Sequence, residues 1–462
     1  MFILRSPMSR KPEREYIYRV VLQQFLGFDY AVEYEERNDI VIVWRDDDAR
    51  RLTLADVFLA TADADWLQRS SLPKRPLMRT GTGQGGEELP VLYGRVLAGE
   101  GYFGGEQNSR YIGIDVFGSS FFMLTRYEEL VIRERDDHGR FGAEQSIAWQ
   151  ERFLHRPIVN EYVACLEQAM RQLWPGLPVK RRDMQRHISH DVDFPFYAYG
   201  KNAWAIAKES LGDIVRRRSP ETAMKKLSMM YRGHSRLGAD PYNRFSYLMD
   251  LSERIGIRSS FYFITEATRP GMDGNYAMDD ANIHALMKEI HARGHEIGLH
   301  PSYDTYKNPE SIGRQFGLLR QTAESLGIHQ EHWGGRQHYL RWSAEETWQH
   351  WEDAGLHYDS TVGYADVAGF RCGVCYEYPV FNVRERKPLQ LLERPLIVMD
   401  QTLLHYEYMG LQAEEALRVL TDYSNQCRKY NGDFTLLWHN SQLVKASDRT
   451  VYESYMKQLS GQ

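Results

Sequence analysis

From about residue 185 to the C-terminus, strand-length apolar runs alternate with segments of helical period. The runs stand at 185–189, 259–265, 296–300, 332–335, 357–362, 392–399 and 434–439. The helical patterns stand at 281–293, 309–326, 344–354 and 413–430, with a last one at 450–459. About seven strands alternating with helices over about 280 residues predict an α/β architecture, either a (β/α) barrel or a wound parallel sheet. In such folds the reactive groups lie just past the C-terminal ends of the strands, and the search for chemistry is directed there. One stretch, about 197–245, breaks the alternation. It is basic, Met-rich and helical in pattern, and reads as an inserted helical hairpin or lid.

The preceding residues follow a different pattern. Helical spacing is expected over 14–26 and a strand over Asp39–Trp44, with 51–54 able to pair with it. A strongly apolar stretch, 115–127, ends in the acidic pair Glu128-Glu129. A helix is expected over 157–173, stopped by Trp174-Pro175-Gly176. The Gly-rich 81–89 lacks the Lys-Ser/Thr of a phosphate cradle and reads as a flexible loop. The basic connector Lys180-Arg181-Arg182 marks the change of pattern. The predicted organisation is an α+β domain of unknown role over 1–180 and a barrel over 181–462.

Composition narrows the function classes. A net charge of -6 gives no support for a nucleic-acid binder, which relies on a basic excess. Four cysteines cannot form a disulfide framework in 462 residues and suggest a reducing compartment. Cys372-Gly373-Val374-Cys375 has no second pair and reads as a loop. No run approaches the roughly 18 apolar residues of a membrane span, and the N-terminus lacks a signal-peptide core. A soluble, cytoplasmic chain is expected. Its aromatic content, 13%, fits core packing or a sugar-binding cleft, and composition by itself favours core.

Four strand ends carry polar groups that apolar packing does not require. In His187-Ile188-Ser189-His190-Asp191-Val192-Asp193, the strand period of two puts both aspartates on one side, where a cation would offset their repulsion. An Asx-turn before Pro195 would use the same residues. In the second, 294–304, His300 stands at the strand end and His295 points to the other face. One helical turn after Pro301 would bring Asp304 beside His300. With Asp193 that makes a His/Asp/Asp set suited to a divalent metal. In Gly334-Gly335-Arg336-Gln337-His338-Tyr339, the glycines permit close backbone approach and Arg336 could hold a carboxylate or anion. In Leu437-Trp438-His439, a histidine at the end of an apolar strand suits a general acid or base, or a satisfied core position. Asp359, near another strand end, could orient such a histidine.

This ordered set resembles the polysaccharide deacetylase (NodB homology, carbohydrate esterase 4) family over about residues 185 to 445. Phrases such as 121–129 (FFMLTRYEE) and 298–303 (GLHPSY) are closer still to a subgroup with an N-terminal domain of undefined function. The resemblance implies a distorted (β/α) barrel of the NodB type and a divalent metal, zinc in the first instance. It casts Asp191 as catalytic base and Asp193 and His300 as metal ligands. Asp304 stands where the family has its second histidine. Arg336 and Tyr339 match the third motif without its prolines, Asp359 the fourth, and His439 the last. The implied reaction is removal of an N-acetyl group from a sugar or glycan precursor in surface-polysaccharide biosynthesis. In it Arg336 holds Asp191, the Tyr339 amide assists the oxyanion, and His439, oriented by Asp359, protonates the leaving amine. Two other readings stay open. One is a catalytically impaired glycan-binding or assembly protein, suggested by Asp304; the other is a metal amidohydrolase acting on a non-sugar amide.

Overall fold

The computed structural model describes residues 1–81, 87–97, 101–178, 180–197, 199, 203–215, 223–224, 226–227, 238 and 240–460. Most of the loop expected at 81–89 and much of the insertion expected at 197–245 lie outside the described residues.

The first part of the chain builds a six-stranded sheet. Its strands are β1 (Phe2–Pro7), β2 (Tyr30–Glu35), β3 (Asp39–Trp44) and β4 (Asp47–Ala55), then, after the small ribbon of β5 (Met78–Thr80) and β6 (Leu89–Val91), β7 (Phe103–Glu106) and β8 (Ser109–Ile112). The order is β2-β1-β3-β4-β8-β7. β3 and β4 pair antiparallel with Ile40 opposite Leu54 and Val43 opposite Arg51, so the expected partner of Asp39–Trp44 is found. The helical pattern at 14–26 is an α-helix over Lys11–Tyr18 that continues as a π-helix over Arg19–Phe25. The apolar stretch after Asp115 is a helix, Val116–Leu124, buried on every side, which is why it shows no polar stripe. Asp115 accepts from Gly118 N at its start and from Val57 N and Phe58 N on the neighbouring loop.

The second sheet contains β9 (Gln185–Val192), β10 (Ser260–Phe263), β11 (Glu296–Leu299), β12 (Gly334–Gly335), β13 (Tyr358–Asp359), β14 (Tyr378–Asn382), β15 (Lys387–Glu393), β16 (Val398–Met399) and β17 (Asp433–Leu437). The order is β14-β15-β13-β12-β11-β10-β9-β17-β16. All neighbours pair parallel except β14 with β15. Helices intervene at Phe245–Arg254, Ala281–Ala292, Pro309–Ser325, Thr347–Asp353 and Ala413–Lys429, and Ala446–Ser460 closes the chain. The expected strand–helix alternation is present. The barrel is not closed by backbone pairing among the described residues, because β14 and β16 stand at opposite ends of the order. The run expected at 392–399 also divides, Glu393 ending β15 and Val398 starting β16. No helix among the described residues is long and apolar enough to cross a membrane.

The two sheets share one hydrophobic core. Tyr16 packs on Phe121 and Phe381 and donates its hydroxyl to Pro379 O at 2.8 Å. Beside this contact lies a fully buried ionic network. Arg126, in the left-handed region at φ 53°, donates to Glu129 Oε1 at 2.8 Å and Glu128 Oε1 at 2.7 Å. Arg371, from the loop before β14, closes on the same Glu129 carboxylate at 2.9 and 2.6 Å. A carboxylate between two guanidiniums is held ionised: burial opposes its charge, but Arg371 and Arg126 pull Glu129 below the ordinary range. Removing that carboxylate strands the buried cation of Arg371 and leaves Arg126 to Glu128. Glu129→Ala is therefore expected to lower stability by about 3–5 kcal/mol, and adding Arg371→Ala to cost much less than the sum of the two single changes. Urea unfolding of the two single variants and the double variant measures both.

Candidate active site

The C-terminal ends of five strands, β16, β17, β9, β11 and β12, meet at one cleft of about 140 Å³. Its floor carries Asp191, Asp193, His300, His338 and His439. Each is placed by local rules of the chain.

On β9 the period of two sends Ser189 and Asp191 to one face. Both meet Arg336 Nη1, Ser189 Oγ at 2.9 Å and Asp191 Oδ1 at 2.8 Å. Arg336 is wholly buried, and its remaining donors go to Ser360 O at 2.9 Å and Ser360 Oγ at 3.0 Å. The guanidinium thus holds Asp191 in one orientation. Arg336 reaches this place because β12 approaches β11 closely. A Cβ on Gly335 would stand 1.8 Å from Leu299 O, its register partner, so only glycine fits there.

Past β12 the chain turns sharply, with Tyr339 at φ 59° and Leu340 at φ 53°. Two successive non-glycine residues in the left-handed region are a strained arrangement, of the kind that clusters at functional sites. The turn directs His338 into the cleft. His338 Nδ1 lies 2.9 Å from Asp273 Oδ1, and Asp273 also accepts from Tyr303 N, Arg269 N and Thr268 N. Burial would raise Asp273, but these donors together hold it at about 2. His300 is fixed in the same manner, Nδ1 on Arg336 O at 2.5 Å. With both Nδ1 atoms committed, the Nε2 atoms of His300 and His338 face Asp193 Oδ1 at 3.1 and 3.7 Å.

These three side chains form the group that could hold a metal ion, with ligand atoms all within 4.8 Å of one another. The donor set suits a divalent cation: one carboxylate, and two imidazoles whose other nitrogens are held by acceptors. Asp193 Oδ1 is buried and makes no directed hydrogen bond, as a ligand oxygen would. Burial acts against the Asp193 charge, yet His338, His300 and His439 hold its carboxyl well below the usual range. His300 is correspondingly raised: burial lowers it, and Asp191 and Asp193 more than offset that.

On the other side of Asp193, His439 Nε2 lies 3.5 Å from Oδ2. His439 Nδ1 is 2.8 Å from Asp400 Oδ1, and its backbone N donates to Asp400 Oδ2 at 2.5 Å. Burial works against a charged imidazole here, but Asp400, Asp193 and Asp191 push it up to about 10. One wall of the cleft is apolar and built from Leu340, Ala365, Met399 and Leu437. Arg140 also reaches it, from the first part of the chain, with Nε on Asp136 Oδ2 at 2.7 Å and Nη1 on Tyr339 O at 3.3 Å.

Two expectations are corrected. Asp304 does not join His300. No helical turn follows Pro301; the next helix starts at Pro309, and Ser302 N and Tyr303 N are tied to Gln315 and Asp273. Asp304 instead pairs with Arg269 at 2.9 Å and Arg341 at 3.3 Å, half-exposed. Nor does Asp359 orient His439; Asp400 does. Asp359 lies behind Arg336, with Oδ1 accepting from Thr361 N and Thr361 Oγ1 and Oδ2 buried without a partner. It is the register partner of buried Glu393. Asp191, Asp193, His300, Arg336, Tyr339 and His439 do gather at the cleft or directly behind it. Three further residues were not expected. Asp400 follows the run expected at 392–399, so the strand-end rule pointed to it. His338 stood inside the glycine–arginine motif. Asp273, in a loop, had no signal.

A family model described as a family of unknown function (DUF7033) matches residues 2–175. A search of curated proteins finds no match. Among solved structures, a protein described as a polysaccharide deacetylase from Mycobacterium smegmatis is 15% identical, with TM-score 0.38, over 62% of this chain and 88% of that one. One so described from Pseudomonas aeruginosa PAO1 is 14% identical, with TM-score 0.36, over 60% and 85%. Puue allantoinase is 12% identical, with TM-score 0.37, over 63% and 87%. The chemistry of the site rests on its own side chains.

Two outcomes are expected. His338→Ala reduces bound divalent metal by about tenfold or more, whereas Asp304→Ala leaves it unchanged, measured by elemental analysis after equilibration with the metal. The second concerns Asp359, which burial pushes up to about 7 despite Thr361 and Arg336. The folded chain keeps a proton there that the unfolded chain has lost, so this group makes stability fall from about pH 4 to about pH 7 and flatten beyond. Asp359→Asn therefore gains stability relative to the parent across that window. Thermal unfolding at a series of pH values tests this; a difference independent of pH would contradict it.

Proposed function

We propose that the chain is a metal-dependent amide hydrolase that removes an N-acetyl group from a sugar or glycan precursor. The observation that carries the reading is the convergence of Asp193, His300 and His338, with Asp191 held by Arg336 on one side and His439 held by Asp400 on the other. Asp193, His300 and His338 would hold a divalent ion, zinc by the character of the donors. Such an ion, when bound, acts as a Lewis acid toward an amide carbonyl and lowers the pKa of water.

The remaining steps belong to the side chains. Asp191 accepts a proton from the attacking water, and Arg336 holds the carboxylate aimed. His439 donates a proton to the departing amine, with Asp400 fixing its tautomer. The Tyr339 amide, at the strained turn, serves the developing oxyanion. The apolar wall of Leu340, Ala365, Met399 and Leu437 suits a methyl group, which supports an acetyl over a bulkier or charged acyl group. Tyr339, Tyr408 and Phe194 offer ring faces at the same cleft for a sugar. Residues 1–180 act as a unit that completes the rim through Arg140. The impaired-protein reading drew on Asp304, and His338 removes that motive by offering a second imidazole.

Acetate release from N-acetylhexosamine derivatives, assayed with added divalent metal beside simple linear amides and cyclic imides, tests the reading. Asp191→Asn and His439→Ala are each expected to lower the rate by about 10²–10⁴-fold. A chain that releases acetate at the same rate with both substitutions, or acts only on cyclic imides, does not work this way.

A further inference from the structure

The candidate active-site cleft does not end at its apolar wall. Arg140, Leu340, Ala365 and Tyr408 line it and also line a second chamber of about 360 Å³, so the two spaces adjoin across those side chains. One wall of the second chamber comes from the first part of the chain, within residues 135–145. A tight turn puts it there. Asp136 Oδ1 accepts from His138 N at 2.9 Å and Arg140 N at 2.8 Å, and Gly139, at φ 75°, donates its N–H to Asp136 O at 2.8 Å. His138 O accepts from Arg341 Nε at 2.7 Å, and His138 Nδ1 lies 2.8 Å from Tyr303 Oη, which docks the turn on the rim beside Tyr339. The same Asp136, through Oδ2, holds Arg140 at the junction of the two chambers.

The charges of the second chamber say what it can take. Arg135, Arg140 and Arg371 stand with Asp136, Glu144 and Asp366, so there is no cationic excess. Each arginine is already held by acceptors of the chain: Arg140 by Asp136, Arg371 by Glu129, and Arg135 by the carbonyls of Glu129, Ile132 and Glu134, all at 2.7 Å. Glu144 and Asp366 are exposed. Such a chamber disfavours a phosphate or diphosphate, which like charges repel. It suits a neutral molecule rich in hydroxyls, which donate to carboxylates and accept from guanidiniums. Tyr408, at the junction, offers a ring face to a pyranose. We propose that this chamber is a second sugar subsite, so that the substrate is a neutral glycan of at least two units and not a nucleotide-diphosphate sugar. The inference rests on the reading of the first cleft as the place where the N-acetyl group is removed, and it gives the first part of the chain a role in selecting what is joined to that sugar.

Three classes of compound, assayed for acetate release with added divalent metal, test the subsite: an N-acetylhexosamine, neutral disaccharides that contain one, and a uridine-diphosphate N-acetylhexosamine. Binding energy from the second unit is expected to raise kcat/KM for the best disaccharide at least about tenfold above the other two. Asp366→Ala and Glu144→Ala, both at exposed positions, are each expected to lower the ratio of disaccharide to monosaccharide kcat/KM by about threefold or more, with circular dichroism unchanged. A monosaccharide or nucleotide sugar as the best substrate, or variants that lower both rates in proportion, overturns the subsite. Titration of the Asp191→Asn variant with the same compounds reads the subsite without turnover. The disaccharide is expected to bind about tenfold more tightly than the monosaccharide, and Asp366→Ala to remove most of that gain. Tighter disaccharide binding with no acetate release from any compound supports the subsite and counts against the proposed reaction. Acetate release with no gain from the second unit supports the reaction and sinks the subsite.

Discussion

The guanidinium of Arg336 is the point on which the site depends. It is wholly buried, and it joins three strands: Ser189 and Asp191 on β9, its own place after β12, and Ser360 after β13. Behind it lies the Asp359–Glu393 pair, which burial keeps toward the protonated state. Arg336 O also receives His300 Nδ1, so one residue sets the direction of both the candidate base and a candidate ligand. Fixed in this way, the groups need little reorganisation to act together.

The same economy of orientation recurs around the cleft. His338 rests on Asp273 and His439 on Asp400, each through Nδ1, which leaves each Nε2 toward Asp193. Imidazoles held through one nitrogen have a defined tautomer and a lone pair or proton at a defined place. The strained turn at Tyr339 and Leu340 is held by the surrounding structure, including Arg140 on Tyr339 O. The first part of the chain therefore takes part in shaping the rim, and the Arg126–Glu129–Arg371 network anchors it to the sheet that bears the site.

Much of this was legible in the sequence because its rules are local. The period of a strand placed Asp191 and Asp193 on one side. The double glycine announced the close approach that delivers Arg336. An apolar run ending in His439 marked a strand end, and the run at 392–399 held the same kind of signal for Asp400. The failures share a cause. Asp304 was placed by assuming a helical turn after Pro301, but backbone hydrogen bonds to Gln315 and Asp273 hold that segment in another course and Arg269 draws Asp304 outward. Asp359 was assigned to His439 from strand-end position alone, whereas β13 and β17 are separated in the sheet by β12, β11, β10 and β9.

The sequence by itself determined the strand–helix alternation, the edge of the sheet where polar groups collect, and the identity of Asp191, Asp193, His300, Arg336 and His439 as members of that edge. These follow from side-chain period and strand length, which act over a few residues. Tertiary structure alone decided that His338 and not Asp304 faces Asp193, that Asp400 and not Asp359 supports His439, and that Arg140 arrives from the first part of the chain. Those outcomes depend on loop courses and strand order, set by hydrogen bonds between residues far apart in the chain, which no local pattern records.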